Sequence, residues 1–310
     1  MSAMSGVLEG FTTIGALIAL GALLAHLRVF DLSAQVVLSR LAFYVASPAL
    51  MITVLQDADV SAVLSRNLVA TGCAVVTVVL LYVVVARLVL RQDLADTVVG
   101  ALCSAYVNAG NLGLPIAAYV LGDAALVAPT LLLQMLVLQP IALAVLDVAV
   151  AEHRVPWHRF VTRPLRTPLT VGSLLGLTLS LSDVRLPRLV DEPLGLVGAM
   201  AVPAMLIAYG VSLRLGPRPG SGGSAPVLAL IVTLKLVVQP VVAYTLGRFA
   251  LGMEGAPLLA VTVLAALPAA QNIFVIAVRY DRSTVLARDA VFATTVLSVP
   301  AVAVAAAVVG

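Results

Sequence analysis

Charge is scarce in this 310-residue chain: Asp, Glu, Lys and Arg make up 11% of it, where soluble domains carry roughly 25%. Hydrophobic residues account for 62%. That ratio leaves too little polar surface to keep a folded chain in water, and it excludes an ordinary soluble enzyme or binding module. Cysteine is almost missing. Cys73 and Cys103 sit in separate apolar stretches with no CxxC pair, which excludes a disulfide framework or a thiolate metal centre. His153 and His158 have neither a nucleophile nor metal-ligand spacing around them. HExxH, GxSxG and paired-Asp arrangements are absent, so no enzyme is indicated, and no ATP-binding motif supports primary active transport. No cofactor and no metal are expected. The net charge of +3 comes from arginines scattered between apolar runs, so it marks no nucleic-acid partner.

What the chain does have is long apolar runs, bounded by charge, Pro or Gly. They fall at about Gly6 to Leu27, Val36 to Leu55, Asn67 to Leu90, Thr97 to Leu121 and Ala124 to Val150, then Pro168 to Ser182, Pro193 to Leu213, Pro226 to Gly247, Ala256 to Arg279 and Ala287 to Val309. With about 20 apolar residues per bilayer crossing, these predict an all-α, multi-pass protein of the cell (inner or plasma) membrane with ten helices. No basic region precedes the first run, which is too long for a signal-peptide core and reads as a retained helix.

Arginine sets the orientation. Arg28, Arg40, Arg87, Arg91, Arg154, Arg159, Arg163, Arg166, Arg214, Arg218, Arg279, Arg282 and Arg288 fall on one side, and only Arg66, Arg185, Arg188 and Arg248 on the other. By the positive-inside rule the richer side is cytoplasmic and both termini are extracytoplasmic.

The halves also repeat. Pro48-Ala49-Leu50-Met51-Ile52 echoes Pro203-Ala204-Met205-Leu206-Ile207 at an offset of 155, and Pro140 echoes Pro300 at 160. Five helices per half make the second half enter from the opposite side, so the domains read as 1–151, a basic cytoplasmic connection at 152–167, and an inverted repeat at 168–310.

Function concentrates in two interruptions. Asn108-Ala109-Gly110-Asn111-Leu112-Gly113-Leu114-Pro115 lies within the fourth span, where Gly costs about 1 and Pro about 3 kcal/mol relative to Ala in a helix interior. Pro268, Gln271 and Asn272 interrupt the ninth. Broken backbone at membrane depth is tolerated only in protein or beside a wet cavity, and paired breaks in corresponding helices point to a transport site. The candidate substrate-binding residues are Asn108, Asn111, Gly113, Pro115, Pro268, Gln271, Asn272 and Lys235. Lys235, deep in the eighth span, must face the protein interior. It can attract an anion or pair with a buried carboxylate. Gln134 and Gln139 read as helix-packing residues more than as ligands. The fourth and ninth spans hold no acid between Asp96 and Asp123 or between Glu254 and Asp281, and helix N-termini carry about half a positive charge, so an anion suits the site.

Asn108 to Pro115, Pro203-Ala204 with Gly210 and Leu213, Lys235 to Pro240, and Pro268 through Tyr280 and Asp281 to Thr294-Thr295 carry a resemblance over essentially the whole chain. The sequence resembles the auxin efflux carrier family, whose bacterial members include malonate and other organic-acid transporters. The resemblance implies the bile-acid-symporter/NhaA-like plan. In it, broken helices 4 and 9 cross in a transport domain of helices 3–5 and 8–10. Helices 1, 2, 6 and 7 form a scaffold, often as a homodimer. It further implies elevator-type alternating access by a secondary carrier, with a small organic anion at the crossing. The long hydrophilic central loop of the plant carriers is missing, which argues against auxin. A sodium-coupled organic-anion symporter of bile-acid type is the alternative reading.

Overall fold

The computed structural model describes residues 3–56, 66–113, 116–117, 121, 124–151, 168–182, 184–216 and 225–309. Among these residues the regular structure is helical, apart from one isolated antiparallel bridge. We label the helices α1 (Ala3–His26), α2 (Leu32–Gln56), α3 (Arg66–Val89), α4 (Leu94–Ala105), α5 (Pro129–Ala149), α6 (Pro168–Leu181), α7 (Arg188–Leu215), α8 (Ala225–Ala250), α9 (Gly255–Ala265), α10 (Asn272–Tyr280) and α11 (Thr284–Val309). Six of them, α2, α3, α5, α7, α8 and α11, are long and apolar enough to cross a membrane. Their flanks present bare hydrophobic side chains, among them Leu88, Leu189, Leu196 and Phe249, as a lipid-facing surface requires.

Close packing runs along two seams. α1 lies on α7 because Gly21 faces the backbone of Ile207 and Gly210 faces that of Ile18, and a Cβ at either glycine would overlap the facing carbonyl oxygen. α6 lies on α2 in the same way, with Gly172 against Pro48 and Gly176 against Met51, and α7 joins α2 at Gly198. Small residues let backbones approach where lipid supplies no hydrophobic drive. Further contacts link α3 to α4 and α8, α8 to α9, α9 to α11, and α4 to α5, while α10 touches α11 and α2.

Two prolines shape the long helices. Gln139-Pro140 in α5 and Gln239-Pro240 in α8 each follow a π turn, Gln134–Leu138 and Leu234–Val238. Proline lacks the N–H that would close the α-helical ladder and its ring crowds the carbonyl four residues earlier, so the preceding turn widens.

One expectation needs correcting. Arg288 is counted with the cytoplasmic-side arginines as an interfacial charge, but it sits in the second turn of α11 at 1% exposure, 2.6 Å from the Asp289 carboxylate, with Tyr209 donating to its carbonyl. The adjacent acid pairs with the charge and lets it be buried, and the helix begins at Thr284, three residues before the expected Ala287.

Candidate functional site

α4 ends at Ala105 because Tyr106 turns to an extended conformation (φ −84°, ψ 110°). The chain stays non-helical through Asn108 and re-enters a single π turn at Ala109–Gly113. Opposite it, Leu267 to Ala270 separate α9 from α10. The two interruptions pair directly. Asn108 N donates to Pro268 O at 2.9 Å and Ala270 N to Tyr106 O at 3.2 Å, which makes Val107 and Ala269 an antiparallel bridge. Pro268 cannot donate, so its place is on the accepting side.

Two further backbone N–H groups of the breaks are met by side chains. Val107 N donates to Gln134 Oε1 at 2.6 Å, and Ala269 N to Thr294 Oγ1 at 3.1 Å. The last carbonyls of the incoming helices are held from α8: Gln239 Nε2 donates to Ala105 O at 2.9 Å, and Lys235 Nζ to Ala265 O at 3.1 Å and to Gln239 Oε1 at 2.6 Å. This accounting is what an interrupted backbone requires where water cannot reach it.

Beside the paired breaks lies a cavity of about 90 Å³, room for several waters, since one needs roughly 10–15 Å³ by the same measure. Tyr106, Val107, Asn108, Ala109 and Gly110 line it from one break, Ala270, Gln271 and Asn272 from the other, and Gln134 and Gln139 from α5. Phe43, Leu50 and Met51 of α2 with Val202 and Met205 of α7 close the far wall. Among the described residues no Asp, Glu, Lys or Arg lines it. Gln139 Oε1 accepts from Tyr106 OH at 2.7 Å and from Asn272 Nδ2 at 3.1 Å, so one glutamine ties both breaks to α5. Asn272 Oδ1 has no hydrogen-bond partner among the described residues. A half-turn of the amide would offer Nδ2 at the same place. No side chain caps the N-terminus of α10, which opens at Asn272; Ile273 N and Phe274 N turn back to Ala270 O and Gln271 O, and the helix start keeps its partial positive charge.

The structure thus brings Asn108, Gln271 and Asn272 to one cavity. The backbone of Asn111 lies in the π turn, while its side chain and all of Pro115 fall outside the described residues. Gly113 is buried under Val127 and Leu267, away from the cavity. Pro268 bonds the opposite break without lining the cavity, and Lys235 stands behind the crossing, where it holds helix ends. Sequence reasoning missed Tyr106 and Gln239 and undervalued Gln134 and Gln139. The repeated Gln-Pro pair at 139–140 and 239–240 was the available signal.

Against known proteins, a family model described as "Membrane transport protein" matches residues 8–155 and 157–306. The chain belongs to this family. It is the family of the auxin efflux carriers, so the resemblance drawn from the fourth-span motif is shown. Among curated members, the chain is 27% identical over 306 residues to a Rhizobium meliloti (strain 1021) protein named "Putative malonate transporter", covering 92% of this chain and 90% of that one. It is 25% identical over 304 residues to an "Uncharacterized transporter" of Methanothermobacter thermautotrophicus, covering 94% and 95%. Membership makes the chain a multi-pass membrane transporter of a small-molecule substrate.

Proposed function

We propose that this family member is a secondary transporter of small organic anions, malonate-like carboxylates in particular, bound where the two breaks cross. The observation that carries the reading is the cavity itself. Amide side chains from both breaks and the start of α10 converge on it, and no carboxylate among the described residues lines it. A carboxylate needs donors in such a setting, and helix starts with side-chain amides supply them. The Rhizobium relative's name agrees in substrate class. The glycine-packed helices α1, α2, α6 and α7 act as the scaffold. The bodies around the breaks move against them as an elevator, within a ten-helix inverted repeat whose termini face outward. A homodimer through the scaffold fits the same plan.

The test is binding and uptake of malonate by the purified chain. Asn272→Ala removes an amide at the mouth of α10, and a contact to a charged ligand is worth about 1.5–3 kcal/mol, so affinity falls roughly ten- to a hundredfold. Wild-type affinity in the double variant Asn108→Ala with Asn272→Ala overturns the reading.

A further inference from the structure

A second cavity of about 300 Å³ opens between α2 and α10. Arg40 and Arg279 line it, with Ser39 and Tyr44. Neither arginine pairs with a carboxylate among the described residues. Arg279 is set in place by aromatic faces, its guanidinium 5.2 Å from the Tyr44 ring centre and 5.5 Å from that of Tyr280. That arrangement fixes the side chain and leaves its N–H fork available. Ser39 is 2% exposed, and its Oγ has no hydrogen-bond partner among the described residues. A hydroxyl in a helix ordinarily donates to the backbone carbonyl oxygen three or four residues earlier, as Ser104 does to Gly100 O; that of Ser39 makes no such bond and faces the cavity.

The nearby carboxylates are engaged elsewhere. Asp31 accepts from Ser33 and Ala34 at the start of α2, and Asp147 accepts from Tyr280. Asp281 closes α10 in a left-handed conformation and does not line the cavity. An arginine held by two aromatic rings, a second, exposed arginine with no carboxylate partner among the described residues, and a buried hydroxyl make an anion site.

We propose that this pocket is a second anion site, separate from the crossing, which binds a small carboxylate between Arg40, Arg279 and Ser39. Phe43 and Val275 line both cavities and form the partition between them. An anion leaving the crossing along α10 therefore meets Arg279 at the far end of the same helix, and while held it ties α10 to α2. The carboxylate identity rests on the proposed function; the site itself stands on its own residues. A lipid phosphate shares the chemistry, and the shared wall with the crossing favours the soluble anion.

The test uses the full chain in phosphatidylcholine nanodiscs with malonate as the probe, followed by calorimetry. Arg40→Gln and Arg279→Gln are each expected to weaken one class of sites about tenfold. Ser39→Ala weakens the same class while leaving the unliganded protein as stable or more so, because it deletes a buried hydroxyl that lacks a partner. Arg214→Gln, an exposed change outside the pocket, has no effect. Asn272→Ala spares this class. Malonate binding that survives Asn272→Ala and disappears with both arginine changes supports the second site and overturns the crossing site; the reverse pattern overturns the second site alone. No arginine-sensitive malonate binding at millimolar concentration overturns it too. So does stabilisation by phosphatidylglycerol of the wild type but not of the arginine variants without any effect on malonate, which assigns the pocket to a headgroup.

Discussion

Lys235 and Gln239, one turn apart on α8, share a 2.6 Å hydrogen bond, and each holds the final carbonyl of a different helix, Ala265 for Lys235 and Ala105 for Gln239. Two helix C-termini, each negative, are thus brought to one pair of donors. The pair fixes the angle at which α4 and α9 enter the crossing.

The consequence for Lys235 is a stability role. Lys235→Met leaves a buried carbonyl without its donor, at a cost of about 1–3 kcal/mol. The apparent melting temperature in detergent should fall, while the KM for malonate in the surviving protein stays near wild type. A raised KM with unchanged melting would put Lys235 in the substrate's path instead.

Gln134 and Thr294 are expected to behave alike, although they lie on α5 and α11. Each accepts one backbone N–H of a break, from Val107 and Ala269. Gln134→Leu or Thr294→Val should each destabilise by about 1–3 kcal/mol. Slower transport that follows the loss of stability confirms the role. Full stability in both variants would mean that water takes over the amides.

Sodium should be dispensable. Five oxygens at the crossing already accept hydrogen bonds: Tyr106 O and Pro268 O from the opposite break, Ala105 O and Ala265 O from α8, and Gln139 Oε1 from Tyr106 and Asn272; Asn272 Oδ1, which has no partner among the described residues, would be one ligand where sodium gathers several. Malonate uptake into proteoliposomes should keep its rate when sodium is replaced by choline. A strict sodium requirement would favour the bile-acid-type symporter.

The α1–α7 seam gives a steric prediction. Gly210→Leu drives a side chain into the backbone of Ile18, and overpacking typically costs about 1–3 kcal/mol, more where the clash is with backbone. Yield of folded protein should fall sharply. The control Gly195→Leu, where a Cβ meets nothing, should leave it unchanged.

Composition and arginine placement made the membrane class legible, and Gly110, Gly113 and Pro268 located both breaks within a few residues, because each opposes continuous helix on local grounds. The pairing of Tyr106 to Asn108 with Pro268 to Ala270 was not legible. Tyr, Val and Ala carry no local instruction to leave a helix, and their extended shape is imposed by a partner far along the chain. Lys235 was legible as interior but not in its role, since depth alone does not distinguish a substrate-facing amine from one that holds a carbonyl. Gln139 suffered from the same ambiguity. Its position among apolar neighbours fits a packing residue, and only the fold reveals that it touches Tyr106 and Asn272 at once.

The bridge between Val107 and Ala269 also constrains how the molecule is made. Asn108 finds its acceptor in Pro268, so a ribosome that has delivered only the first half has placed in the bilayer an amide and a carbonyl whose partners do not yet exist. Neither group tolerates bare hydrocarbon. Until the later half arrives, the amide of Asn108 and the carbonyl of Tyr106 need another partner: water, the insertion machinery or the membrane surface.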